Sequence, residues 1–271
     1  MASSNPYRYE PSPVAAMIFL VLFTICTVWH VIVMFRRRVW YFIPLILGGA
    51  LEIIGYVTRY LGSRDVANLT FFIIQTLCIL VAPALFAASI YMVLGRLIRT
   101  VHAESYSIVR PSWLTKVFVG GDLVSFIVQL AGSGLLTSNF SLGKTIILVG
   151  LVVQILFFGL FLLAAMLFYR RLSTEPTPAS ERLDLQSKKR GWRGVMLVLF
   201  LASALIFTRS IFRLVEFTGG HDSPMLTSEA YIYVCDATLM FGVLVALIYL
   251  HPSEYVVYPR KSMRLEGEEL L

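Results

Sequence analysis

Val195-Met-Leu-Val-Leu-Phe-Leu-Ala-Ser-Ala-Leu-Ile-Phe207-Thr-Arg209-Ser-Ile-Phe-Arg213-Leu-Val-Glu216 is the stretch on which the fold turns. An apolar run long enough to read as membrane-embedded ends in two arginines and a glutamate. At 3.6 residues per turn, Arg209, Arg213 and Glu216 stand at i, i+4 and i+7 and share one helix face. A charged side chain within a bilayer costs between about 2.5 and 17 kcal/mol, so that face must point into a bundle interior or a wet cavity and find partners there.

The rest of the chain fits this reading. Of 271 residues 58% are hydrophobic and 14% charged, whereas soluble domains carry about 25% charged residues. The composition is that of an integral membrane protein. The net charge of +7 sits in loops beside apolar segments rather than on one solvated face, which argues for membrane orientation and against nucleic acid. Cys26, Cys78 and Cys235 each fall inside an apolar segment with no C-x-x-C spacing, and read as buried thiols.

Seven windows are long enough to cross about 30 Å of hydrocarbon: 13–35, 40–61, 69–94, 114–136, 145–169, 194–216 and 229–250. A seven-helix all-α bundle over 13–250 is expected, with a short tail at 1–12, a flexible basic loop at 170–193 and a second tail at 251–271. The first window lacks a basic flank and a cleavage site, so it is retained as a span. Following the chain through these windows puts seventeen lysines and arginines on one side. Three, Arg8, Arg64 and Lys144, fall on the other, and Arg59, Arg209 and Arg213 inside spans complete the 23. The excess marks the cytoplasmic side, which places the N-terminus outside and the C-terminus inside. Two N-x-S/T triplets, at Asn68 and Asn139, fall in loops this topology puts outside and are candidate glycosylation sites.

Pairs at i, i+7 give four spans a polar stripe: Glu52 with Arg59, Asp122 with Gln129, Arg209 with Glu216, and Glu229 with Asp236. Gln75 and Gln154 add amides on two more. These eleven residues, Arg213 included, are the candidate ligand-binding set, expected to line one polar core that widens towards the outside. Within it Glu52, Asp122, Glu216, Glu229 and Asp236 outnumber Arg59, Arg209 and Arg213 by five to three. A surplus of buried carboxylate calls for bound protons or a cationic ligand. The plainer alternative is a set of interhelical ion pairs that only hold the bundle together. Small residues (Gly48-Gly49, Gly55, Ala87-Ala88, Gly120-Gly121, Gly132-Ser-Gly134) are expected at close helix contacts, and Pro83 is expected to kink the third span.

Several function classes are excluded. Leu142-Gly-Lys-Thr145 has the tail of a phosphate-binding loop, but Ser138 stands where its leading glycine belongs. His30, His102, His221 and His251 are scattered and no H-E-x-x-H occurs, so no metal site is expected. There is no G-x-S-x-G, no catalytic residue and no cofactor are expected, and the chain reads as no enzyme. The seventh span has no lysine for a retinal Schiff base, and the D-R-Y and N-P-x-x-Y triplets of G-protein-coupled receptors are absent.

One set of motifs runs through nearly the whole chain. It comprises Glu52-x-x-Gly-Tyr-x-x-Arg59, Gln75 followed by Ala82-Pro83 and Tyr91, and Phe118-x-x-x-Asp122-x-x-Ser-Phe-x-x-Gln129-x-x-Gly132-x-Gly134. It continues with Gly150-x-x-x-Gln154, Arg209-Ser-x-Phe-Arg213-x-x-Glu216, Glu229 with Tyr233 and Asp236, and His251-Pro252. Together these resemble the fungal lipid-translocating exporter family of the aminocholesterol-resistance type. The resemblance implies seven spans, fungal origin, and roles in sphingoid long-chain-base release, sterol-analogue or azole tolerance and, in one branch, porphyrin or haem traffic. The expected function is translocation of amphipathic lipid-like molecules in the plasma membrane or an endomembrane, with the bilayer and such a molecule as partners. The polar core would receive the head group while the tail stays in lipid. The alternatives are a seven-helix receptor or regulator of lipid asymmetry and stress, and an exporter of a toxic metabolite or porphyrin.

Overall fold

The computed structural model describes residues 12–65, 68–135, 138–186, 191–219 and 229–249. The tails before 12 and after 249, with His251-Pro252, the basic run 188–190 and His221, lie outside the described residues. Helix α1 (Pro13–Arg37) starts where Ser12 accepts the Ala15 N–H and Pro13 supplies a pre-set first turn; it stops at Arg38, whose φ of 54° is left-handed. A 3₁₀ turn (Trp40–Phe42) leads into α2 (Ile43–Arg64), and α3 (Leu69–Thr100), α4 (Pro111–Leu135), α5 (Phe140–Thr174), α6 (Pro178–Gln186) and α7 (Gly191–Thr218) follow. The last segment has three parts: α8 (Glu229–Ile232), a π-helical turn (Tyr233–Ala237) and α9 (Thr238–Tyr249).

Among the described residues six helices, α1, α2 with its 3₁₀ turn, α3, α4, α5 and α7, are long and apolar enough to cross a membrane, and Tyr233–Tyr249 is a shorter apolar helix. Segments adjacent in the chain pack against each other, and α9 returns to α1, where His30 Nε2 donates to Leu244 O at 3.2 Å. The segments thus close a ring, and α3 also touches α7 across it. That central position explains why α3 is the most buried span. Outward faces carry exposed Val, Ile and Leu, such as Val14, Ile25, Val124 and Leu156, as a lipid-facing surface requires.

Several expectations are corrected. Helices α3, α5 and α7 outrun their hydropathy windows, because a window marks the apolar middle while the backbone ladder continues until a breaker. Leu97 and Ile98 of α3 and Leu172 of α5 are buried in these extensions. The seventh segment is not one uniform helix, being interrupted by the π turn. The stretch 170–193, expected to be a flexible loop, contains the end of α5 and all of α6. Thr177 explains it: its Oγ1 accepts the Ser180 N–H at 3.2 Å, starting α6 ahead of Pro178, and donates to Val101 O at 2.6 Å, docking the helix on the loop after α3. Cys26 is buried, but Cys78 and Cys235 are partly exposed. Residues 143–145 form the first turns of α5, a helix rather than a phosphate-binding loop.

The small residues divide. At Gly48 an added Cβ would lie 2.6 Å from the Phe86 ring, and at Gly55 2.7 Å from Ile79, so α2 and α3 approach through these two positions. Gly120 has nothing within 4 Å and is no packing site. Gly48→Ala is therefore expected to lose about 1–3 kcal/mol of stability by overpacking. Gly120→Ala is expected to gain up to about 1 kcal/mol from reduced backbone entropy. Thermal unfolding of the purified protein in detergent compares the two.

Candidate functional site

Proline at position 83 has no N–H, so the carbonyl four residues earlier, that of Ile79, loses its helical donor in mid-span. Arg209 supplies one: its Nη2 donates to Ile79 O at 2.9 Å. The same guanidinium, through Nε, makes an ion pair with Asp236. Asp236 belongs to the π turn, where Thr238 Oγ1 donates to Tyr233 O at 2.8 Å. One buried arginine therefore ties α3, α7 and the seventh segment together at the point where two of them are irregular.

Two further pairs lie nearer the end that carries Ser12. Arg59 of α2 reaches Glu229 at 2.8 Å and receives a second tie from its Nε to the Tyr233 hydroxyl at 2.9 Å. Glu229 also accepts the Ser12 N–H through both oxygens, at 3.0 and 2.9 Å, so a carboxylate sits at the positive end of α1. On α7 itself, Arg213 pairs with Glu216 at 2.9 Å. Phe19 stacks on Tyr233, and Phe23 on Tyr56, sealing this region from α1.

These pairs use all three arginines and three of the five acids. The remainder is Glu52 and Asp122. Glu52 is 1% exposed and neither of its carboxylate oxygens has a hydrogen-bond partner among the described residues; the Tyr56 hydroxyl, one turn along α2, is likewise buried and unpartnered. The charged neighbours of Glu52 are Asp236, Arg209 and Arg213. Asp122 accepts the Tyr91 hydroxyl on Oδ2 at 2.9 Å, while Oδ1 is buried without a partner. It lies against aromatic rings, since Tyr91 packs on Phe118, Phe158 and Phe161 with centroids 4.4–6.1 Å apart.

The expected single core is thus two regions. Glu52, Arg59, Arg209, Arg213, Glu216, Glu229 and Asp236 come together between α2, α7 and the seventh segment. Asp122 sits between α3, α4 and α5, and the stretch of α3 from Ile79 to Tyr91 that separates the levels rises about 18 Å. Gln129 of α4 donates to Gln154 of α5 at 3.0 Å, a local α4–α5 tie, and Gln75 is buried on α3. The correction has a simple cause: i, i+7 spacing shows that a helix has a polar face but not which neighbour it meets. Asn68 and Asn139, the glycosylation candidates, are the N-caps of α3 and α5, with Oδ1 accepting Thr70 N and Leu142 N, both at 3.1 Å. Tyr56, Tyr91 and Tyr233 were not among the candidate residues. All three stand in the motifs quoted above, and Tyr56 follows Glu52 and Tyr233 follows Glu229 by four residues, one helical turn.

The protein family described as RTA1 like protein matches residues 45–258, spanning every one of these polar residues. This chain belongs to the RTA1-like family. The agreement with the motif resemblance extends to individual relatives, all from Saccharomyces cerevisiae. Protein RTA1 is 33% identical, aligned over 97% of this chain and 92% of its own length. Protoporphyrin uptake protein 1 is 34% identical over 89% of each. Sphingoid long-chain base transporter RSB1 is 26% identical over 86% of this chain and 70% of its own length. No solved structure matches the chain. With six helices among the described residues long and apolar enough to span a membrane, this RTA1-like protein is an integral, multi-pass membrane protein.

In the RTA1-like chain, removing Arg209 would strand both Asp236 and Ile79 O. Arg209→Met is expected to cost about 3–5 kcal/mol, the usual penalty for leaving a buried charge alone. Adding Asp236→Leu should recover most of that, and adding Pro83→Ala, which returns a donor to Ile79 O, should recover more. Folded yield and thermal midpoint in detergent across the series check the order.

Proposed function

We propose that this protein translocates amphipathic, cationic lipid-like molecules across its membrane without chemical conversion, and that resistance to such molecules is its consequence. The reading is carried by one observation: after every interior arginine is matched, two buried carboxylates, Glu52 and Asp122, remain without an ion-pair partner of their own among the described residues. A protonated amine supplies what they lack, and a sphingoid base, one amine on a long chain, suits both the charge and the route. Its head group would enter between helices while its chain stays among the acyl tails.

Two named relatives point to different substrates, a sphingoid base and a porphyrin. Charge separates them here. A porphyrin bearing carboxylates needs spare arginine, and each of Arg59, Arg209 and Arg213 already holds an acid. The interior favours the amine.

Glu52, Arg209 and Asp236 are each at most 3% exposed, so this conformation is closed and a guest requires the bundle to part. Pro83 and the π turn are the places where the backbone ladder is already interrupted, and separation there would break the fewest helical bonds. The end that carries Arg36, Arg96, Arg110 and Arg170 would face the cytoplasm, with the N-terminus outside, in the plasma membrane or an endomembrane.

In a yeast host sensitised to phytosphingosine, expression of the wild-type chain is expected to restore growth. Asp122→Asn is expected to lose several-fold in tolerated concentration at unchanged protein level; equal resistance would remove Asp122 from the head-group route. Reconstitution distinguishes translocation from a lipid-sensing receptor, because only a translocator moves labelled lipid between leaflets.

A further inference from the structure

Glu52 poses a question that the translocation reading alone leaves open. Its carboxyl group is buried with no hydrogen-bond donor on either oxygen among the described residues. An ionised carboxylate in such surroundings carries a desolvation penalty far above that of the neutral acid, and a group so placed neutralises instead. The charged and titratable groups that face it do not change this balance. From α7 come Arg209 and Arg213, from the π turn Asp236, from α3 Cys78 and from α2 Tyr56, while α1 presents the rings of Phe19 and Phe23 to Tyr56. Arg209 is matched by Asp236 and Arg213 by Glu216, so the cluster of two arginines and three acids is electroneutral only when one acid carries a proton. Among the described residues Glu52 is the acid with no partner.

We infer that Glu52 is a proton-carrying site and that this protein exchanges one proton for each cationic lipid it moves. The inference rests on the translocation reading and adds to it the driving force. When the lipid ammonium arrives, the O–H bond of Glu52 breaks, the proton leaves to water on the side from which the lipid entered, and the carboxylate so formed pairs with the ammonium. On release at the other side, the carboxylate takes a proton from that side and the closed, neutral core is restored. Charge in the dry interior is the same before and after each half of the cycle, which is why the two cations alternate rather than bind together. The proton gradient across the membrane then sets how far the lipid is concentrated.

The test uses the full-length protein in liposomes holding a pH-sensitive dye, with fluorescent N,N,N-trimethylsphingosine as probe. That lipid has a permanent charge and no proton of its own, so any proton that moves comes from the protein. Lipid entry is expected to make the lumen more alkaline by one proton per lipid. A lumen one pH unit more acidic than the medium should raise the inner-to-outer lipid ratio about tenfold, the equilibrium of a one-for-one exchange. Glu52→Gln, which imitates the protonated acid in shape and charge, should abolish both effects. Lipid movement with no lumenal pH change, or proton exchange that persists in Glu52→Gln, would overturn the inference and leave translocation standing. Absence of protein-dependent lipid movement would overturn translocation itself, and exchange with it. If Glu52→Gln does not fold, the proton-to-lipid ratio of the wild type still decides.

Discussion

A backbone carbonyl without a donor, in the middle of a membrane span, is the constraint on which the rest of this structure depends. Pro83 creates it at Ile79, lipid cannot relieve it, and the guanidinium of Arg209 does. That solution brings a positive charge to mid-bilayer, which in turn requires Asp236. Holding Asp236 there accompanies a π turn in the seventh segment. The missing N–H at Pro83 is thus answered across three segments, where α3 meets α7.

The interior that follows is not a uniform polar channel. Three arginine–carboxylate pairs, each between residues buried or nearly so, account for the structural role and are matched in charge. What they leave over is chemically distinct: two acids at two levels, one capped on a single oxygen by Tyr91 and one with no donor on either oxygen among the described residues. The proposed function thus divides stability and transport among residues of the same type. Glu229 and Asp236 tie helices together, Glu216 pairs within α7, and in the proposed function the two unpaired acids respond to a cation. The aromatic packing around Asp122 and the ring stack sealing Tyr56 keep both acids dry, and dryness is what makes a single charge matter.

This division also orders the relatives. Proteins named for a sphingoid base and for a porphyrin align with the chain over most of its length, so overall similarity does not choose between a cationic and an anionic guest. The charge left after pairing is what supports a cationic guest in the proposed function.

The arrangement of apolar windows determined by itself that the chain is a multi-span helical protein, because about 20 apolar residues are a local requirement that no tertiary contact can supply. The i, i+7 stripes on Glu52 and Arg59 or Arg209 and Glu216, and the surplus of two interior acids, were legible for the same reason: periodicity and count belong to the chain. Only the tertiary structure decided that Asp122 stands apart from Asp236, that Glu229 caps α1 through Ser12, that Thr177 turns an apparent linker into a docked helix, and that Glu52 is the acid left with no donor among the described residues. Each of those depends on which faces of which helices meet, and helix packing angles and a π turn are settled by side chains far apart in the chain.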